Sequence, residues 1–125
     1  MQDFRNLKIW QKSHKIVLSL YKLTAKFPKT ELFGLTSQTR RSAASIPANI
    51  AEGCARGSDA EFGRFLYIAQ GSASELAYHL ILARDLTFLT QPDYDRIASD
   101  LTELRRMLTT LSQKLKKTRY GEAKS

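Results

Sequence analysis

Tyr94, Ile97, Leu101, Leu104, Leu108, Leu111 and Leu115 follow one another at alternating steps of three and four residues. Only a helix gathers such steps onto one face, and a seam of that length needs an apolar surface running alongside it. The rest of the chain is built to supply one. Three prolines and six glycines in 125 residues are too few for the many turns of an all-β domain. The length suits one domain with a single core, and 42% hydrophobic against 26% charged residues is a globular balance, too apolar for disorder.

Three further helices precede that seam. The first spans about Phe4 to Phe27 and stops at Pro28, which cannot continue it. Ile9, Trp10, Ile16, Val17, Leu20, Leu23 and Phe27 share its core face. The second covers about Thr36 to Ala55, with Ala43, Ala44, Ile46, Ile50, Ala51 and Cys54 on its apolar side and a kink expected at Pro47. The third, about Asp59 to Leu89, is expected to be capped by Ser58 or Asp59. Its seam is Phe62, Phe65, Leu66, Ala69, Ala73, Leu76, Leu80, Ala83 and Leu86, yet Tyr67, Ile68, Tyr78, Ile81, Leu82 and Phe88 lie outside it. A helix apolar around most of its circumference must be covered on more than one side, which implies another subunit. The fourth helix opens at Gln91-Pro92-Asp93 and runs to about Lys117. Short connections favour an all-α, antiparallel up-down-up-down four-helix bundle over residues 1–119, with 120–125 a frayed tail.

The net charge of +8 is unevenly spread. Residues 1–30 carry seven basic groups and one acid, residues 31–104 six and ten, and residues 105–125 seven and one. In the bundle topology both basic segments share one side. Lys8, Lys12, Lys15, Lys22 and Lys26 fall within a narrow arc of the first helix, with no acid between Phe4 and Phe27. Arg105, Arg106, Lys116 and Lys117, with Lys114 and Arg119, crowd the end of the fourth, where cations also suit the helix dipole. A solvated face usually mixes signs, so this pattern points to an anionic partner, with solubility as the plain alternative.

Enzyme chemistry finds little support. His14 and His79 are isolated, and neither a Gly-x-Ser-x-Gly elbow nor a phosphate-binding glycine loop is present. Glu75 and His79 stand four apart without a second such pair, so no dimetal site is expected, and no cofactor. Cys54 reads as a small core residue and, as a single cysteine, permits no internal disulfide. With no apolar run long enough for a bilayer and no signal-like start, a cytoplasmic setting is expected.

The motifs FPKTELFGL, QTRRSAASIPANIAEG and FGRFLYIAQGSASEL, in this order between Pro28 and Glu75 and after the opening FRNLKIWQKSHKIVLSLYKLTAKFP, resemble the four-helix-bundle family of 23S rRNA intervening-sequence proteins. That family is related to the accessory variability determinant of diversity-generating retroelements, a basic pentameric barrel that binds nucleic acid and a reverse transcriptase. The resemblance implies a homopentamer and a partner that is RNA, DNA or a nucleic-acid-processing protein. Its shared residues Arg40, Arg41, Asn49, Glu52, Gly53, Gly71 and Glu75 are read chiefly as structural. An Arg with Glu52 or Glu75, and Asn49 with a backbone group, would satisfy one another, Gly53 would allow a turn, and Gly71 a close helix contact. An Arg40-Arg41 pair reaching a phosphate is the alternative.

Two functions of different class follow: a non-enzymatic basic oligomer that binds nucleic acid through phosphates with little base selectivity, or an oligomeric protein-protein scaffold whose charge serves solubility or docks an acidic protein.

Overall fold

The structure is a computed structural model that describes the backbone of residues 3–124 and the side chains of 3–118. Four helices carry the fold: α1 (Lys8–Thr24), α2 (Ser37–Ala55), α3 (Asp59–Asp85) and α4 (Gln91–Lys124). No strand occurs among the described residues. Each helix packs on the next, and α4 returns beside α1 to close the bundle. No helix among the described residues is long and apolar enough to cross a membrane.

Each helix has a local cause. At the start of the chain the Asp3 carboxylate accepts the Arg5 backbone N–H at 3.0 Å and caps a separate 3-10 turn, Phe4–Asn6, before Leu7 turns extended. The first helix therefore begins at Lys8 rather than Phe4, and Phe4 folds back to meet Trp10 edge-on, ring centroids 5.1 Å apart. The Gln11 side chain donates to the Arg5 carbonyl at 2.9 Å, holding the two pieces together. The far end of α1 also comes early, at Thr24, so Phe27 and Lys26 lie in the turn beyond it. A wide turn over Leu32–Thr36, with Gly34 off helical geometry, leads into α2. Pro47 is buried inside α2 without ending it. Ser58 caps α3, its hydroxyl accepting the Glu61 N–H at 3.2 Å. That helix stops at Asp85 rather than Leu89, because Thr87 adopts a left-handed φ of 64°. No such break interrupts α4, whose helical backbone passes the expected stop at Lys117 and runs through the segment read as a frayed tail. Ser125 and the side chains from 119 onward, Arg119 included, lie outside the described residues.

The core follows most of the predicted faces, but Ala44, Ala51 and Cys54 on the apolar side assigned to the second helix are only half-buried and lie outside it. Leu20 of α1, Ile46 and Ile50 of α2, Leu66, Leu76 and Leu80 of α3, and Leu104 and Leu108 of α4 are fully buried. Each contributes about 1.5–3 kcal/mol of burial. Leu86, placed in the α3 seam by spacing, is instead 45% exposed, since the helix ends before it. Of the apolar residues outside the seam, Leu82 and Phe88 pack against the core, Phe88 beside the Phe27 ring. Tyr67, Ile68, Tyr78 and Ile81 remain exposed on the outer side of α3.

Neither Gly53 nor Gly71 takes the role that sequence assigns it. Gly53 is buried within α2, where an added Cβ would stand 2.6 Å from the Phe65 Cβ, so its missing side chain permits the α2–α3 approach rather than a turn. Gly71 faces open space within the subunit. The turn falls to Gly57, whose φ is +82°.

Candidate nucleic-acid interface

The basic residues of α1 divide by what they meet. Lys12 points into the α1–α4 seam, where its ammonium lies 3.1 Å from Glu103 and 3.7 Å from Asp100. It is neutralised within the fold and only 23% exposed. Lys8, Lys15 and Lys22 are exposed along α1, and Lys26 stands exposed in the turn beyond it. None of these four has an ion-pair partner among the described residues. Seven-residue steps separate the first three by roughly 10 Å along the axis.

The basic end of α4 also splits into two ridges. Arg106 and Lys114 turn toward α1 and share with Lys8 a groove floored by Leu7, Ile9, Met107 and Leu111. Arg105 shares an outer hollow of α4 with Arg106 but reaches toward α3, its guanidinium donating to the Ser74 hydroxyl at 3.1 Å. Lys116 lies beside Arg64, Tyr67 and Asp59 in a hollow between α3 and α4. Lys117 is exposed. The fold thus joins part of each basic segment on one side and sends Arg105 and Lys116 to another. Sequence spacing missed Arg96, which lines a second α1–α4 hollow with Lys22 and Asp100. An isolated arginine in an acidic stretch gives no signal of that neighbourhood.

Among the shared motif residues, Arg40, Arg41 and Glu75 bridge neighbouring helices, while Asn49 and Glu52 pair close to home. Arg40 donates from Nε to the Thr24 hydroxyl at 2.8 Å and from Nη2 to the Tyr21 carbonyl at 3.3 Å, with its guanidinium 4.5 Å above the Tyr21 ring. These contacts tie α2 to the last turns of α1. Arg41 pairs with Glu75 across α2 and α3 and donates to the Gln38 side chain at 3.0 Å. Asn49 donates to the Ser45 carbonyl at 2.8 Å, and Ser45 meets Ser72 at 2.8 Å. Glu52 is held by Arg56 at 2.7 Å rather than by either motif arginine. His79, only 12% exposed, hydrogen-bonds Ser42 at 3.1 Å. Burial holds its pKa below the ordinary histidine value; Glu75 opposes this by raising it and Arg41 adds to it by lowering it. The sequence signals for Tyr21, Thr24, Ser42 and Ser72 as partners were absent, because each needs the register between helices to be known.

Burial pushes the Cys54 thiol upward, away from the thiolate a nucleophile needs. Among the described residues no group of three or more His, Cys, Asp or Glu side chains is placed to hold a metal ion.

A four-helix bundle with unpaired exposed lysines along α1 and polar contacts between neighbouring helices is the architecture, and comparison gives it a family. Residues 5–110 match the 23S rRNA-intervening sequence protein family, and the chain belongs to it. A solved structure from Bacteroides thetaiotaomicron VPI-5482, a protein with unknown function from the S23 ribosomal protein family, is 30% identical. It covers 83% of this chain and 97% of its own, with a TM-score of 0.77. Comparison with curated proteins finds no match.

Proposed function

We propose that the protein is a non-enzymatic, cytoplasmic nucleic-acid-binding accessory protein that grips phosphates along the exposed side of α1. The observation that carries this reading is the row Lys8, Lys15, Lys22 and Lys26: four exposed ammonium groups with no carboxylate partner among the described residues. Lys12 plays a structural part instead. Of the aromatic residues on α1, Trp10 is half-buried and stacked on His14, and Tyr21, though 45% exposed, has a ring face covered by the Arg40 guanidinium, so neither offers a free stacking platform for a base. Binding is therefore led by charge and indifferent to base identity. Membership of a family tied by its description to 23S rRNA intervening sequences agrees with an RNA partner.

The working unit in this reading is a homo-oligomer of antiparallel bundles, each made by residues 1–119. Pairs such as Arg41 with Glu75, Ser45 with Ser72 and Gly53 with Phe65 support the antiparallel pairing, since numbers rise along α2 as they fall along α3. Exposed Tyr67, Ile68, Tyr78 and Ile81 supply the apolar surface for assembly, and the number five comes from the family resemblance. Several copies would multiply weak phosphate contacts. The test is binding of unrelated RNA and DNA to the parent and to Lys15→Glu/Lys22→Glu/Lys26→Glu at low salt. Loss in the variant with unchanged helicity supports the reading, and equal binding by both, or none by the parent, leaves the scaffold function.

A further inference from the structure

We propose that the groove between α1 and α4 at the Leu7–Leu111 end seats an acidic amphipathic helix of a partner protein. Its floor is aliphatic: Ile9 is buried, and Leu7, Met107 and Leu111 are half-buried and open to a ligand. Its rim is cationic. Lys8 stands on the α1 wall and Arg106 and Lys114 on the α4 wall, all exposed and without an ion-pair partner among the described residues. Glu103, the acid at the groove, is already held by Lys12 at 3.1 Å, so the rim presents positive charge to an occupant. An apolar floor between cations is complementary to a surface of aliphatic side chains flanked by carboxylates.

The helical form of the occupant follows from the walls. The α4 wall lies mid-helix with its backbone groups paired within itself, and the α1 wall is the first turn of a helix rather than a strand, so the groove offers no sheet edge to which a strand could add. A ligand must satisfy its own backbone, as a helix does. From Glu103 to Lys114 the α4 wall runs roughly 16 Å, enough for three turns of a partner. Met107 at the centre has the adaptable side chain that helix-binding grooves use. Nucleic acid is the poorer fit, because a phosphate backbone would use the cationic rim but gain nothing from the apolar floor of Leu7, Ile9, Met107 and Leu111.

The probe is a synthetic helix of about 18 residues with Leu at i, i+3, i+4 and i+7 spacing and Glu elsewhere, followed by fluorescence anisotropy against the intact protein. A same-composition peptide with its Leu scattered around the helix is the control. The seam peptide should bind at least about tenfold more tightly than the control, and Met107→Glu and Arg106→Glu/Lys114→Glu should each weaken it by about tenfold or more. Lys15→Glu/Lys22→Glu, which removes phosphate contacts, should leave peptide binding unchanged, so failure of this proposal and of the nucleic-acid reading are separable. Equal binding of both peptides, no binding at about 100 μM, or displacement by an oligonucleotide that itself depends on Met107 would overturn it. So would dissociation of the protein's own oligomer by Met107→Glu, which would make the occupant a second copy.

Discussion

Gly53 of α2 and Phe65 of α3 approach so closely that a methyl group at position 53 would stand 2.6 Å from the Phe65 Cβ and 3.1 Å from a Phe62 ring carbon. The neighbour at 2.6 Å is a rooted Cβ rather than the end of a flexible chain, so relief requires the two helices to separate. Gly53→Ala gains about 1 kcal/mol of helix propensity, but the overpacking costs about 1–3 kcal/mol and loosens the α2–α3 contact. A net loss of up to about 2 kcal/mol is expected in urea unfolding of the variant. A stabilised Gly53→Ala protein would mean that the helices part freely.

Gly71 gives the opposite expectation. An added Cβ there meets nothing within 4 Å in the subunit, so Gly71→Ala should raise the stability of an isolated chain by about 1 kcal/mol. The same residue lies among Tyr67, Ile68 and Tyr78 on the face assigned to assembly. Light-scattering mass should therefore fall at micromolar concentration while thermal stability of the dissociated chain rises. An unchanged mass would remove Gly71 from the subunit contact.

Thr87 ends α3 in a conformation suited to glycine. Its N–H donates to the Arg84 carbonyl and that of Phe88 to the Ala83 carbonyl, both at 2.9 Å, which is the paired closure of a Schellman motif. A β-branched residue at φ 64° carries a steric cost of about 1–2 kcal/mol. Thr87→Gly should relieve it and raise the unfolding free energy by about 1 kcal/mol after the extra freedom glycine gives the unfolded chain. Unchanged or lower stability would show that the Thr87 hydroxyl bond to the Leu86 carbonyl offsets the strain.

His79 sets a pH dependence. Burial, and secondarily Arg41, hold its pKa below the ordinary value, while Glu75 pulls the other way. The unfolded chain then binds more protons than the folded one through the histidine range, so stability is full above about pH 6.5 and declines as pH falls through it. His79→Gln, which keeps a partner for Ser42, should flatten that decline relative to the parent. Identical pH profiles in urea unfolding would contradict it.

The fold was legible wherever one helix's own sequence decides the outcome. The Tyr94–Leu115 seam buries Ile97, Leu101, Leu104 and Leu108, and Ser58 caps α3. Legibility ended at positions decided between helices. Lys12 shares an arc with Lys8 and Lys15, yet lies near enough to α4 to be captured by Glu103 and Asp100, a contact that depends on helix register. Gly53 and Gly71 look alike as helical glycines, and only the packed neighbour separates their roles. The early end of α3 was hidden for a different reason, since a threonine in left-handed geometry has no sequence signature.

The division between Lys12 and its neighbours also fixes how salt should act. Each phosphate neutralised releases condensed counterion, giving a slope of about −0.9 in log affinity against log salt for duplex DNA. Lys12 is held by two carboxylates and should contribute little, whereas Lys15, Lys22 and Lys26 are exposed and unpaired among the described residues. If all three touch phosphate at one site, replacing them by Gln should reduce the magnitude of the slope by about 3. Lys12→Gln should leave the slope nearly unchanged while destabilising the α1–α4 seam by less than about 1 kcal/mol, as expected for a partly exposed pair. Duplexes of different sequence should share one slope. A Lys12→Gln protein with the larger loss of slope would place the phosphates in the seam itself and move the binding surface from the outer side of α1 to the junction with α4.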